Sequence, residues 1–84
     1  MDIVEDPHGI LWFGKASTNG GVDRFDGETF ENIGFGVEAG SGRPRQMGAG
    51  ASLSLDSSGA LWIGTTNGVF RQTDAGFVHF TRGE

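Results

Sequence analysis

The chain has 84 residues, of which 36% are hydrophobic and 16 are Gly, with no Cys and a formal net charge of −5. Such a composition is typical of a folded chain, although a chain this short buries only about 60 to 65% of the surface that its unfolded form exposes. The acidic balance argues against a nucleic-acid surface, the lack of Cys excludes disulfides and thiolate metal sites, and no apolar run reaches the roughly 18 residues that cross a bilayer.

The first third of the chain predicts four short strands joined by tight turns. A strand over residues 3–4 leads into Asp6-Pro7-His8-Gly9, the preferred filling of a type I turn. The next strand, over residues 10–14, is apolar on both alternating faces, as expected for a strand covered on both sides. After a polar stretch ending in Asn19-Gly20, a strand over 21–25 runs into the hairpin signal Asp26-Gly27 and a strand over 29–33 follows.

Residues 34–51 predict a loop between two structured units. They contain six Gly interleaved with few large apolar side chains. Loops of this length in a compact domain are usually functional or flexible, and we favour a flexible linker.

The rest of the chain predicts the same order of four strands, over residues 52–55, 60–64, 69–72 and 77–81. Residues 56–59 form the first turn, Thr66-Asn67-Gly68 predicts a type I′ hairpin, and residues 73–76 form the last loop. The expected fold is therefore all-β, with one four-stranded antiparallel sheet in residues 1–33, a Gly-rich linker in 34–51 and a second four-stranded antiparallel sheet in 52–84.

The two units are copies of one repeat. Residues 6–14 return as residues 56–64, with Asp, Gly, Leu, Trp and Gly at the same places. A repeated unit of this kind cannot bury its apolar faces alone and becomes stable by stacking on other copies.

This pattern resembles the two-component regulator propeller repeat. In the first copy the resemblance is carried by Asp6, Gly9, Leu11, Trp12, Gly14, Gly21, Val22, Arg24, Asp26, Gly27 and Phe30. In the second copy it is carried by Asp56, Gly59, Leu61, Trp62, Gly64, Thr65, Gly68, Val69, Arg71, Gly76 and Phe77. The chain departs from the family pattern in its Gly-rich linker, in Lys15 where a Thr is typical, and in carrying no output domain.

The resemblance implies two blades of a β-propeller, an incomplete ring, in an extracytoplasmic (periplasmic) sensor region of a signalling protein. Closure would need further blades, either in a longer chain of which this is a fragment or from identical chains, three giving six blades and four giving eight. The expected function is a non-enzymatic module that binds a small molecule or glycan, without nucleic acid and without insertion into a membrane. Two alternatives remain. The chain could be part of a propeller enzyme, either a lyase or a glycan-active enzyme, or it could be a self-assembling structural fragment.

Two pairs of repeated residues invite a functional interpretation. Trp12 and Trp62 could stack on a planar ligand, but one aromatic residue at the same strand position of each repeat is better explained by packing between sheets. Asp6 and Asp56 could be paired catalytic carboxylates or calcium ligands, but the Asp-x-x-Gly context favours carboxylates that accept backbone N–H groups within a turn.

The remaining candidates are two His and two Arg residues. His8 and His79 have no second ligand at a metal-binding spacing, so we expect no metal site. Arg24 and Arg71 could line a pocket for an anion, although such a residue more often lays its stem over a neighbouring ring. No Gly run has the ending or the helix of a phosphate-binding loop, and no catalytic triad can be assembled, so we predict neither a cofactor nor catalytic residues, and the ligand-binding residues are unknown at this point.

Overall fold

A computed structural model of the chain describes residues 2–14, 20–74 and 76–80. Within them it is all-β and contains no helix, which confirms the predicted class. The described strands are β1 Ile3–Glu5, β2 Leu11–Gly14, β3 Val22–Phe25, β4 Phe30–Ile33, β5 Phe35–Glu38, β6 Pro44–Gln46, β7 Gly50–Leu55, β8 Leu61–Thr65, β9 Gly68–Thr73 and β10 Gly76–Phe80. The predictions made for Lys15, Asn19, Ala75 and Thr81 lie outside the described residues.

The first sheet is the predicted four-stranded meander. Its strand order is β1-β2-β3-β4, and each neighbouring pair is antiparallel. Asp6 closes the first turn as expected, because the N–H of Gly9 donates to the Asp6 carbonyl at 3.0 Å and Gly9 takes a φ of 81°. A φ in this region favours Gly, which explains the Gly at this position of the turn.

The second sheet differs from its prediction. Its four predicted strands are present, but the sheet has six strands in the order β6-β5-β10-β9-β8-β7. Strand β5 pairs with β10 in parallel, with Val37 opposite Val78 and Glu38 opposite His79. The expected second four-stranded antiparallel sheet is thus a six-stranded mixed sheet, and both sheets are open.

The two additional strands come from residues that were predicted to form a flexible linker. Their glycines have structural roles instead, since Gly40 and Gly42 take φ values of 91° and 70° in the turn between β5 and β6. A Cβ on Gly36 would lie 2.7 Å from Cδ2 of Phe70, so only Gly lets β5 approach the sheet this closely. Met47 then places a fully buried side chain in the core.

The turn between β8 and β9 is a hairpin, but it is not of type I′. That type needs positive φ at Thr66 and Asn67, and no described residue other than Gly has a positive φ. Gly68 takes the positive φ, 123°, one position later. The Thr65 hydroxyl holds this geometry by accepting the Asn67 N–H at 3.1 Å and donating to the Gly68 carbonyl at 3.0 Å.

The core lies between the two sheets. Because directly paired residues share a face of a sheet, the registers define two faces on each sheet. In the first sheet we name the Trp12 face (Val4, Trp12, Val22 and Ile33) and the Phe30 face (Ile3, Leu11, Phe13, Phe25 and Phe30). In the second sheet we name the Phe77 face (Leu53, Leu61, Ile63, Phe70, Phe77 and His79) and the Trp62 face (Phe35, Val37, Trp62, Val69, Val78 and Phe80).

The Trp12 face packs on the Phe77 face. The rings of Trp12 and Phe77 meet edge to face, with centroids 5.8 Å apart and planes at 84°. A hydrogen bond also links the two sheets, because the Asp2 carboxylate accepts the N–H of Leu53 on strand β7 at 3.0 Å. The other two faces, the Phe30 face and the Trp62 face, point away from this core.

Candidate functional site

Asp6 organises the turn between β1 and β2. Its Oδ1 accepts the backbone N–H groups of His8 at 2.9 Å and Ile10 at 3.0 Å. Its Oδ2 accepts the indole N–H of Trp12 at 2.9 Å. The turn-stabilising role predicted for Asp6 is confirmed, and the bond to Trp12 shows that the carboxylate also orients the residue that packs on the other sheet.

Asp56 repeats this arrangement with a cation added. Its carboxylate accepts the backbone N–H groups of Ser58 and Ala60, at 2.9 and 3.0 Å, and the indole N–H of Trp62 at 2.8 Å. It also accepts the Ser58 hydroxyl at 2.6 Å and two N–H groups of Arg71, from Nε at 3.2 Å and from Nη2 at 3.0 Å. Both predicted turn carboxylates are therefore engaged in holding their own turns.

These hydrogen bonds keep both carboxylates ionised. Burial raises the pKa of Asp6, but the hydrogen bonds from Trp12, Ile10 and His8 outweigh it and hold the pKa below its ordinary value. The Ser58 hydroxyl and the Trp62 indole lower the pKa of Asp56 strongly, with further help from Ala60 and Arg71. An acid catalyst needs a carboxyl that is protonated near neutral pH, so neither group is suited to that role.

The two Trp residues have different surroundings. Trp12 is 2% exposed between the sheets, which confirms the packing role predicted for it. Trp62 does not have the predicted place between sheets within the described residues, because it is half-buried and stacks on Phe80 of its own sheet, with centroids 5.9 Å apart. The Arg71 guanidinium lies 5.6 Å from the Trp62 ring, as expected for an Arg that covers an aromatic neighbour.

The two Arg residues occupy equivalent positions, because Arg24 pairs with Trp12 in register as Arg71 pairs with Trp62. Arg24, however, lies 4.0 Å from the carboxylate of Asp26 in the next turn. Neither guanidinium is placed to bind an external anion, because each one faces a carboxylate of its own sheet.

The two His residues lie in unlike environments. His8 is exposed in its turn, whereas His79 is 1% exposed and its Nε2 lies 2.7 Å from the Asn67 carbonyl. A carbonyl only accepts, which assigns the ring proton to Nε2 and leaves the buried Nδ1 without a hydrogen-bond partner among the described residues. The part of the chain that the structure describes holds no group of three His, Asp or Glu arranged to bind a metal.

The two Asp turns lie side by side, and a cleft opens beside their contact, lined mostly by the second sheet and its turns. A Cβ on Gly59 would lie 2.7 Å from Cγ of Pro7, so the first turn sits directly against the second. The cleft beside this contact has a volume of about 430 Å³. Its lining is mainly polar and comes from His8, Ser58, Gly59, Ala60, Arg71, Gln72, Thr73 and Asp74.

The cleft offers hydrogen-bonding groups fixed on rigid backbone. A hydroxyl, an amide, a guanidinium, an imidazole and a carboxylate meet there, and Gln72 is itself held by the N–H of Leu61 at 3.2 Å. Such a set suits recognition of a small polar molecule. The sequence did not predict this site, although the recurrence of Asp-x-x-Gly at the same place in both repeats indicates that the two turns lie at one end of the stacked sheets.

Comparison of the chain with protein-family models, with curated proteins and with solved structures gives no match. Within the described residues there is also no helix that could cross a membrane.

Proposed function

We propose that this chain is a non-enzymatic ligand-binding module made of stacked β-propeller repeats, and that the cleft beside the contact of the Asp6 and Asp56 turns is its ligand site. The observation that carries the proposal is the contact of Pro7 with Gly59, which joins the turns of two repeats beside a polar cleft of about 430 Å³. This volume is in the range of small-molecule sites.

The rigidity of the cleft supports binding. Each turn is held by a carboxylate that bonds two backbone N–H groups and one indole, so the lining groups start from fixed positions. Preorganised groups lose little conformational entropy when a ligand arrives. The ionised and fully engaged state of Asp6 and Asp56 supports recognition over acid catalysis.

The charges of the cleft define the class of ligand. Arg71 is neutralised by its bonds to Asp56, and Asp74 adds a further carboxylate at the edge. An anion would meet this carboxylate without an unpaired Lys or Arg among the described lining residues, so the cleft favours a neutral polar ligand rich in hydroxyl groups, such as a mono- or disaccharide. By its resemblance to the two-component regulator propeller repeat, we assign the module to the extracytoplasmic sensor region of a signalling protein.

The test is a titration of the isotope-labelled chain with neutral saccharides and, separately, with small carboxylates, followed by backbone amide NMR. We expect saccharides to shift the amides of His8, Ser58, Gly59 and Asp74 together and to saturate. The variant Asp74→Lys alters the cleft, while Glu28→Lys makes the same charge change at the corresponding exposed turn of the first sheet. Equal titration of both variants, or shifts scattered away from the cleft, would reject the proposed site.

A further inference from the structure

The outward faces of the two sheets are related to the inward faces by the sequence repeat. The Phe30 face of the first sheet is equivalent to the Phe77 face of the second, because Leu11, Phe13 and Phe30 occupy the places of Leu61, Ile63 and Phe77. In the same way the Trp62 face is equivalent to the Trp12 face. The chain therefore buries one face of each kind in its core and leaves one face of each kind outside.

The exposed apolar surface is concentrated on these two outward faces. Of the six exposed large apolar side chains among the described residues, five lie on the outward faces: Ile3 and Phe30 on the Phe30 face, and Phe35, Val37 and Val69 on the Trp62 face. The sixth, Leu55, pairs with Leu61 on the Phe77 face. Phe30 is 66% exposed where its equivalent Phe77 is 6% exposed. Contiguous exposed apolar surface of this kind marks an interaction site.

The aromatic groups on the Phe30 face are already arranged as a platform. Phe30 stacks on Phe25 with centroids 4.4 Å apart, and Phe13 lies 6.0 Å from Phe30 on the other side. Facing solvent from the opposite end of the molecule, Trp62 is fixed by its bond to Asp56 and by its stacking on Phe80. Both surfaces are ordered before any partner binds, which lowers the entropic cost of association.

We infer that the chain associates head to tail with a second copy of itself, the Phe30 face of one copy packing on the Trp62 face of the next. The internal core supports this association, because the same two kinds of face already meet there, with Trp12 edge to face on Phe77. The corresponding contact between copies is Trp62 of one copy on Phe30 of the other.

This contact is heterologous, so it leaves one face of each kind open at the ends of any dimer. Repetition closes into a ring if the rotation between copies allows it, and otherwise continues as a filament. The inference rests on the repeat architecture of the proposed module but not on a ligand in the cleft. Failure of association would leave the saccharide titration unaffected, and failure of the titration would leave the association unaffected.

The experiment measures the mass of the 84-residue chain by size-exclusion chromatography with light scattering. Phe30→Glu places a charge on one outward face and Val69→Glu on the other, while Ser57→Glu adds the same charge at an exposed turn as the control. We expect oligomers for the unaltered chain and for Ser57→Glu, and association weakened by about tenfold or more for each face variant.

Mixing the two face variants gives the decisive result. A Phe30→Glu copy keeps its Trp62 face and a Val69→Glu copy keeps its Phe30 face, so an equimolar mixture should form a heterodimer and nothing larger. A monomeric unaltered chain at submillimolar concentration, or loss of association from only one of the two substitutions, would overturn the inference. Circular dichroism checks folding, and Phe30→Ser with Val69→Thr replace the charged pair if either charged variant is unfolded.

Discussion

The Asp6–Trp12 and Asp56–Trp62 turns share their sequence pattern and their hydrogen bonds, but they differ in what lies over the Trp. Trp12 is covered by the second sheet, and its Arg24 turns toward Asp26. Within the described residues no second sheet covers Trp62, and Arg71 lies over its ring while bonding to Asp56. The repeat therefore determines the local turn, whereas the neighbouring sheet determines whether the Trp is buried in the core or lies at the surface.

The largest expected effect separates the two Trp residues. Trp12→Ala should lower the free energy of unfolding by about 3 to 5 kcal/mol, because it leaves a cavity between the sheets. Trp62→Ala should lower it by only about 1 to 2 kcal/mol in a monomer, because the half-buried Trp62 side chain buries less apolar surface than Trp12. Urea unfolding followed by circular dichroism measures both, in the Phe30→Glu background that prevents self-association.

The costs of Trp12→Ala and Trp62→Ala should differ less when the chain can associate. With Phe30 intact and the chain concentrated, the cost of Trp62→Ala should rise toward that of Trp12→Ala, because the second copy supplies the missing cover. Equal costs already in the monomeric background would mean that the two Trp environments do not differ as described.

The next effect separates the two turn glycines. Gly9 and Gly59 have φ values of 81° and 86°, so an Ala at either position costs about 1 to 2 kcal/mol in backbone strain. Among the described residues, a Cβ on Gly9 meets only Glu5 Oε2, at 4.0 Å, whereas one on Gly59 meets Pro7 at 2.7 Å. Gly59→Ala should therefore lose about 1 to 3 kcal/mol more than Gly9→Ala in urea unfolding.

The additional loss of stability in Gly59→Ala is expected to come from the contact between the two turns, and Pro7→Ala is the control for this contact. In a Pro7→Ala background, Gly59→Ala and Gly9→Ala should cost the same, because the ring that Gly59 touches is gone. If Gly59→Ala still lost more unfolding free energy than Gly9→Ala in that background, the difference would come from within the Asp56 turn and not from its contact with Pro7.

The smallest effect is on the pH dependence of stability. Because the pKa values of Asp6 and Asp56 are lower in the folded than in the unfolded state, their contribution is fully present above the unfolded value of about 3.9 and is lost as pH falls through the folded values. Asp6→Asn should destabilise at neutral pH by about 1 to 3 kcal/mol, since the amide nitrogen cannot accept the Trp12 N–H. Thermal unfolding between pH 7 and pH 2 should show this difference narrowing below about pH 3.9, because protonation of the Asp6 carboxyl removes its contribution to the stability of the unaltered chain.

Local signals predicted much of the fold. Alternation and turn residues located eight of the ten described strands, and the Asp-x-x-Gly pattern placed both turns and the role of their carboxylates. These features depend on residues close in sequence. The same holds for the covering of Trp62 by Arg71, which lie on directly paired strands.

Contacts between distant residues could not be predicted in this way. The glycines of residues 34–51 predicted flexibility, yet Gly36 serves a close approach to Phe70, and β5 finds its partner β10 some forty residues away. The cleft depends on Pro7 meeting Gly59, a contact that exists only after the sheets have stacked. Periodicity reports which face of a strand is apolar, but not which other face will cover it.

The place of β10 in the second sheet has a consequence for the order of assembly. It lies between β5 and β9, so the hairpin of β5 and β6 can join the sheet only through a strand that the ribosome makes later. Until residues 76–80 are available, Phe35 and Val37 belong to an isolated two-stranded ribbon, which is at best marginally stable in water. Insertion of β10 therefore joins the β5–β6 hairpin to the β7–β8–β9 strands and completes the six-stranded sheet.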